Sequence, residues 1–131
     1  MPPITHLLET SLYVDDVDRS VEFYQKVFGF SVISRSERLH AMSVADGQVL
    51  LLFKKRLSAD LSTTPHDGDG QLHLAFGIER DQLAVWDSWL NALGIVIEEK
   101  KQWDLGGVSL YFRDPDGHLV EVATPGVWSN Y

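Results

Sequence analysis

The two halves of the sequence carry the same signposts at matching spacings. From Glu9 to Gly29, placed where a helix would stop, is 20 residues, and from His73 to Gly94 is 21. After each Asp-Gly turn the agreement repeats, since Gly47 to Leu51 and Gly117 to Glu121 are both four residues. Self-similarity of this kind reports architecture before any single residue does. It pairs Glu9 with His73 and Leu51 with Glu121, and three of those four residues carry metal-ligand chemistry.

Each half reads as a strand, a helix and three further strands. Residues 7–14 alternate, with Leu8, Thr10, Leu12 and Val14 on one face and Glu9, Ser11 and Tyr13 on the other. Asp16 or Asp18 can cap a helix in which Val17, Val21, Tyr24, Val27 and Phe28 recur at helical spacing, and Gly29 ends it. Strands follow over 30–36, 39–44 and 49–53, the last two joined by Asp46-Gly47. Residues 54–70, with Pro65, three Asp and two Gly, read as a connector. The plan then recurs. A strand spans 71–78, and Asp81 caps a helix with a stripe of Leu83, Trp86, Trp89, Leu90 and Leu93. The remaining strands fit 95–99, 108–113 and 119–123, the last two linked through Asp114-Pro115-Asp116-Gly117. The expected organisation is one α+β domain over 1–131, with module one at about 5–56, a connector at about 57–70 and module two at about 71–125.

Composition narrows the chemistry. There is no cysteine, so thiolate metal sites, disulfides and a Cys nucleophile are excluded. Eleven basic against 19 acidic side chains leave a net charge of −8, the opposite of a nucleic-acid binder's balance. No apolar run approaches the ~18 residues of a membrane span, and residues 1–6 lack the features of a signal peptide. A cytoplasmic protein acting on a small molecule is expected. By strand parity Glu9, His73 and Glu121 each sit opposite core-like neighbours, and they would converge if the two modules form one curved sheet around a concave site. An imidazole and two carboxylates are competent ligands for a divalent cation, with positions left open for water or substrate. Each also has an ordinary alternative: Glu9 a solvated edge charge, His73 a satisfied histidine under a helix, Glu121 a carboxylate with a partner elsewhere.

The segments Leu12-Tyr13-Val14-Asp15-Asp16, Ser20-Val21-Glu22-Phe23-Tyr24 and Phe28-Gly29-Phe30 resemble the first module of the vicinal oxygen chelate superfamily, which includes glyoxalase I, bleomycin and fosfomycin resistance proteins and extradiol dioxygenases. His73-Leu74-Ala75-Phe76-Gly77 and the run 109–121 resemble its second module. The resemblance implies paired βαβββ modules, commonly a homodimer, and a metal held by Glu9, His73 and Glu121. Leu51 takes the fourth place, where glyoxalase I has a further carboxylate, and this counts against lactoylglutathione chemistry. Dioxygenases and fosfomycin resistance proteins use three ligands, but their first is usually His, where this chain has Glu9. Two carboxylates and one imidazole favour Mn²⁺ or Mg²⁺ and admit Fe²⁺ or Zn²⁺.

Around the metal, Ser109, Tyr111 and Arg113 share a strand face, Tyr111 as the catalytic candidate and Ser109 and Arg113 as substrate contacts. Ser109 and Tyr111 match a Ser and Tyr of fosfomycin resistance proteins, and Lys101 lies near their phosphonate-binding Lys. Beyond that the match thins, because Leu105 and the tail Val127-Trp128-Ser129-Asn130-Tyr131 lack the remaining polar contacts. Leu51 and Phe53, with Val49, would form an apolar wall for a partly hydrophobic substrate. His66 and His118 are loop candidates for a general base, though such histidines are more often solvated. Two functions therefore stand. One is a metal-dependent enzyme of dioxygenase or lyase/isomerase type, whose substrate chelates through vicinal oxygens. The other is a binding protein that sequesters an aromatic drug or metabolite.

Overall fold

A computed structural model describes all 131 residues. The chain divides into two compact units, residues 1–70 and 71–131, and each repeats the strand–helix–three-strand order. No helix is long and apolar enough to cross a membrane.

The first unit contains β1 (Glu9–Val14), α1 (Val17–Phe28), β2 (Ser31–Arg35), β3 (Leu39–Ala45) and β4 (Gln48–Lys54). Its sheet runs β1-β4-β3-β2, with β1 parallel to β4 and the other pairs antiparallel. Asp16 caps α1, its carboxylate accepting from the Arg19 N–H at 3.0 Å. Gly29 ends the helix at φ +73°, a conformation in which a side chain would be strained. The apolar stripe of α1 (Val21, Tyr24, Val27) and the inner residues of the sheet (Leu12, Met42, Leu50, Leu52) are almost wholly buried and form the core of this unit. Residues 57–70, read from the sequence as a connector, fold against the first unit. Arg38 donates to the buried Ser58 hydroxyl, Arg56 pairs with Asp67 and Asp69, and the Tyr13 hydroxyl meets His66 Nδ1 at 2.7 Å.

The second unit contains β5 (His73–Gly77), α2 (Leu83–Ala92), β6 (Glu99–Gln102), β7 (Val108–Arg113) and β8 (Leu119–Ala123). Its sheet order, β5-β8-β7-β6, reproduces that of the first unit, with β5 parallel to β8. Leu74, Leu90, Leu110, Phe112, Val120 and Val122 make its core. In the last hairpin the Asp114 carboxylate accepts from the N–H groups of Asp116 and His118, and Gly117 takes φ +80°.

Three expectations for this unit are corrected. Asp81 does not cap α2: residues 80–82 form a 3₁₀ turn, no side chain caps the helix, and the Asp81 carboxylate meets only the Gln82 side chain. Trp89 is 43% exposed and Leu90 is the one fully buried residue of the helix. The strand expected over 95–99 begins instead at Glu99. Ile95 and Gly94 close the helix end, with Ile95 N–H bonded to Leu90 O at 2.9 Å and Gly94 N–H to Asn91 O at 3.0 Å, so the apolar run 95–97 leads off the helix. The true strand, Glu-Lys-Lys-Gln, lies at the sheet edge, where charge discourages pairing with another chain.

Candidate metal and substrate site

Strand register bears out the pairing drawn from the repeat. Glu9 stands opposite Val49 and Ser11 opposite Leu51, while His73 stands opposite Leu119 and Ala75 opposite Glu121. Glu9 and His73 thus open equivalent strands, and Leu51 and Glu121 lie two residues along equivalent neighbours. Only the second unit carries ligand-type residues at both places.

There they meet. His73 Nε2 is 3.4 Å from Glu121 Oε2. His73 Nδ1 lies 3.0 Å from the carbonyl oxygen of Leu119, and because a carbonyl only accepts, Nδ1 carries the ring proton. Nε2 therefore faces a carboxylate oxygen, and in the neutral ring it offers a lone pair that, with that oxygen, could hold a cation between them. The spacing suits one, since two donors each ~2.1 Å from one ion stand about 3.0–3.4 Å apart between right-angle and tetrahedral geometry. Glu121 is buried, and burying a charge requires compensation. Its Oε1 accepts from the Ser109 hydroxyl, and Ser109 Oγ accepts from Trp103 Nε1–H at 2.9 Å. The indole, which can only donate, turns the hydroxyl proton onto Glu121 and leaves Oε2 facing His73.

Tyr111 lies beside this pair, its ring 6.2 Å from that of His73 and opposite Glu121 in the ladder. Burial, then the charge of Glu121, raises its pKa above the ordinary value, so at neutral pH it is a hydroxyl donor and not a phenolate. A cavity of about 360 Å³ opens next to these groups, walled by Phe76, Trp103, Trp128 and Tyr131. The tail that supplies the last two is tied down. Tyr131 donates its hydroxyl to Ala123 O at 3.0 Å and Ile78 O at 3.3 Å, and the Arg80 guanidinium bonds Gly106 O and Pro125 O at 2.7 and 2.6 Å. Burial holds the Tyr131 pKa above the ordinary 10. The folded tail thus retains this proton longer than the unfolded chain does. Its contribution is complete below pH 10 and is lost as pH rises beyond that. Wild-type protein is expected to lose more stability between pH 9 and 11 than Tyr131→Phe, as read by thermal melts; parallel curves would show the hydroxyl to be idle.

The other candidates are placed differently. Glu9 is exposed at the start of β1 in the first unit, and no group of three or more His, Asp or Glu side chains able to hold a metal is present. Arg113 does not line the cavity: its Nε meets both carboxylate oxygens of Glu98 at 3.1 Å and a terminal nitrogen bonds Gly117 O. Leu51 is half-buried in the first unit, and Phe53 stacks there on Tyr13 and meets His66 edge-on, with Arg38 over its ring. His118 is not a solvated loop histidine. It is wholly buried, and its Nδ1 accepts the Leu72 N–H at 3.0 Å. Trp103 and the tail aromatics escaped the sequence reading; the generous tryptophan count was their only trace.

Duplicated βαβββ units, the second bearing an imidazole–carboxylate pair beside an aromatic cavity, define the class to which this chain belongs. Residues 4–122 match the family model of the Glyoxalase/Bleomycin resistance protein/Dioxygenase superfamily, and the chain belongs to that superfamily. It is similar to the metallothiol transferase FosB of Bacillus licheniformis, with 30% identity over 95% of this chain and 77% of that one. A probable lactoylglutathione lyase of Vibrio cholerae is 32% identical over 88% of each. Among solved structures, the lactoylglutathione lyase of Agrobacterium tumefaciens superposes with a TM-score of 0.90 at 32% identity, covering 98% of this chain and 99% of that one. The fold is shared at 23% identity and a TM-score of 0.70 with FosX of Listeria monocytogenes, solved with Mn(II) and sulfate.

Proposed function

We propose that the protein is a metal-dependent enzyme of this superfamily, acting on a small, partly hydrophobic substrate through two vicinal oxygens. The observation that carries this reading is His73 Nε2 set 3.4 Å from Glu121 Oε2, with both partners held by outer hydrogen bonds. His73 and Glu121 would hold the ion, and Glu9 is the third ligand proposed. A bound divalent ion supplies Lewis-acid stabilisation to an enolate-like or alkoxide oxygen. Trp103 and Ser109 fix the carboxylate, and Tyr111 presents a proton at its hydroxyl to charge developing on the substrate. The aromatic walls exclude water from the oxygens being chelated. Relatives named as a transferase and a lyase support an enzyme without choosing the reaction.

The test is a thermal-shift screen of chelator-treated protein with Mn²⁺, Fe²⁺, Zn²⁺ and Mg²⁺. At least one ion should raise the melting temperature, and Glu9→Gln should reduce that rise; indifference to all four would end the proposal. A second reading, a protein that sequesters an aromatic ligand, draws on the cavity walls and on the absence of a three-ligand cluster. It requires ligand binding that survives a chelator and gives no product.

A further inference from the structure

We infer that the ligand of the second unit's cavity carries an aromatic ring next to its chelating oxygens, and that Trp128 and Tyr131 form the wall that selects it. This rests on the same site as the proposed function but concerns the part of the ligand that no metal would touch. Apart from His73 and Glu121, the side chains walling the cavity are largely aromatic: Phe76, Trp103, Tyr111, Trp128 and Tyr131. The Trp103 and Trp128 rings stand 6.4 Å apart at 34°, adjoining panels of one surface. Aromatic faces and edges favour offset or edge-on contact with a further ring, beyond the gain from area alone.

The charges of the unit point the same way. No lysine or arginine lines the cavity, and the cations around it are engaged. Arg113 is paired with Glu98, Arg80 is bonded to Gly106 and Pro125, and the Lys101 ammonium rests on the Trp103 ring at 4.1 Å from its centroid. A phosphonate or second carboxylate entering this space would lose its hydration without gaining a cationic side chain in return. The wall is also built in advance. A Cβ at Gly77 would stand 2.5 Å from the Tyr131 hydroxyl, and one at Gly107 would stand 2.4 Å from the backbone of residues 126–127, so both glycines are seats for the tail. Residues 127–131 lie beyond the 4–122 matched by the family model.

The experiment compares mandelate with lactate, two α-hydroxy carboxylates that offer the same vicinal oxygens and differ by phenyl against methyl, with hydroxymethylphosphonate as the anionic control. Binding is measured by calorimetry and by quenching of tryptophan fluorescence, with and without Mn²⁺, on wild type and Trp128→Ala. Trp128 is 66% exposed, so its removal should leave the fold intact. Mandelate is expected to bind at least about ten-fold more tightly than lactate, in keeping with burial of a phenyl group. Trp128→Ala should reduce that ratio several-fold while leaving the Mn²⁺-induced thermal shift unchanged. The mandelate-to-lactate ratio tests the ring, and the effect of Mn²⁺ on each ligand tests the metal, so either claim can fail alone. A ratio near one with and without Mn²⁺, a ratio indifferent to Trp128→Ala, or tighter binding of hydroxymethylphosphonate than of mandelate would overturn the inference.

Discussion

Glu121→Gln is expected to abolish metal-induced stabilisation while leaving the metal-free protein as stable as wild type or slightly more so. In the absence of an ion, Glu121 is a buried carboxylate with one oxygen bonded by Ser109 and the other 3.4 Å from His73 Nε2. Glutamine keeps the acceptor for Ser109 and turns an N–H toward His73 Nε2, a gain on the order of 1 kcal/mol. The same change removes a charged ligand. Losing an outer-shell partner alone typically lowers metal affinity 10–100-fold, and losing a ligand should exceed that. At an ion concentration 100 times the wild-type Kd, wild type gains about 2.7 kcal/mol, a melting shift on the order of 10 °C. Thermal melts of both proteins with and without Mn²⁺ check this. A variant that keeps the wild-type Mn²⁺ shift would remove Glu121 from the site.

Gly107→Ala is the second large effect. A Cβ there would come within 2.4 Å of Gly126 C and Val127 N, and these are backbone atoms that no rotamer change can move aside. Because φ at Gly107 is not positive, the penalty is steric overlap with the tail and not strain within residue 107. Overpacking of this kind typically costs about 1–3 kcal/mol, and here the tail can relieve it only by leaving its seat. The variant is expected to lose about 2–3 kcal/mol, to show red-shifted Trp128 emission, and to lose discrimination between aryl and alkyl ligands. Its Mn²⁺ response should survive, because the hydrogen bonds of the Trp103–Ser109–Glu121 chain and of His73 with the Leu119 carbonyl include no atom of residues 126–131. Wild-type denaturation and emission would contradict the seating of the tail.

Different parts of the molecule were legible in the sequence to different degrees. Asp16, Gly29 and Gly117 act through local backbone chemistry, which sequence displays directly. The meeting of His73 with Glu121 was legible because strand parity and a repeat together determine register. Residues 95–97 misled because an apolar run suits a helix exit as well as a strand, and only the closing bonds to Leu90 and Asn91 decide between them. Ser109 was read as a substrate contact, yet it is wholly buried, does not line the cavity and spends its hydroxyl on Glu121 under the direction of Trp103, a matter of side-chain orientation that no periodicity encodes. Arg113 shares that face yet lies at the hairpin end of the strand, where Glu98 and the Gly117 carbonyl hold it. The tail was read for polar groups that it lacks, whereas its contribution is Trp128 and Tyr131.

Metal binding at His73 and Glu121 is tested most directly by one titration, Mn²⁺ into chelator-treated protein followed by calorimetry, with His73→Ala and Glu121→Gln alongside. Wild type is expected to take up one ion per chain, with binding at least about 100-fold weaker or lost in both variants; these are the results metal binding at this pair requires. Wild-type protein that takes up no ion, or variants that take it up as wild type does, would contradict it.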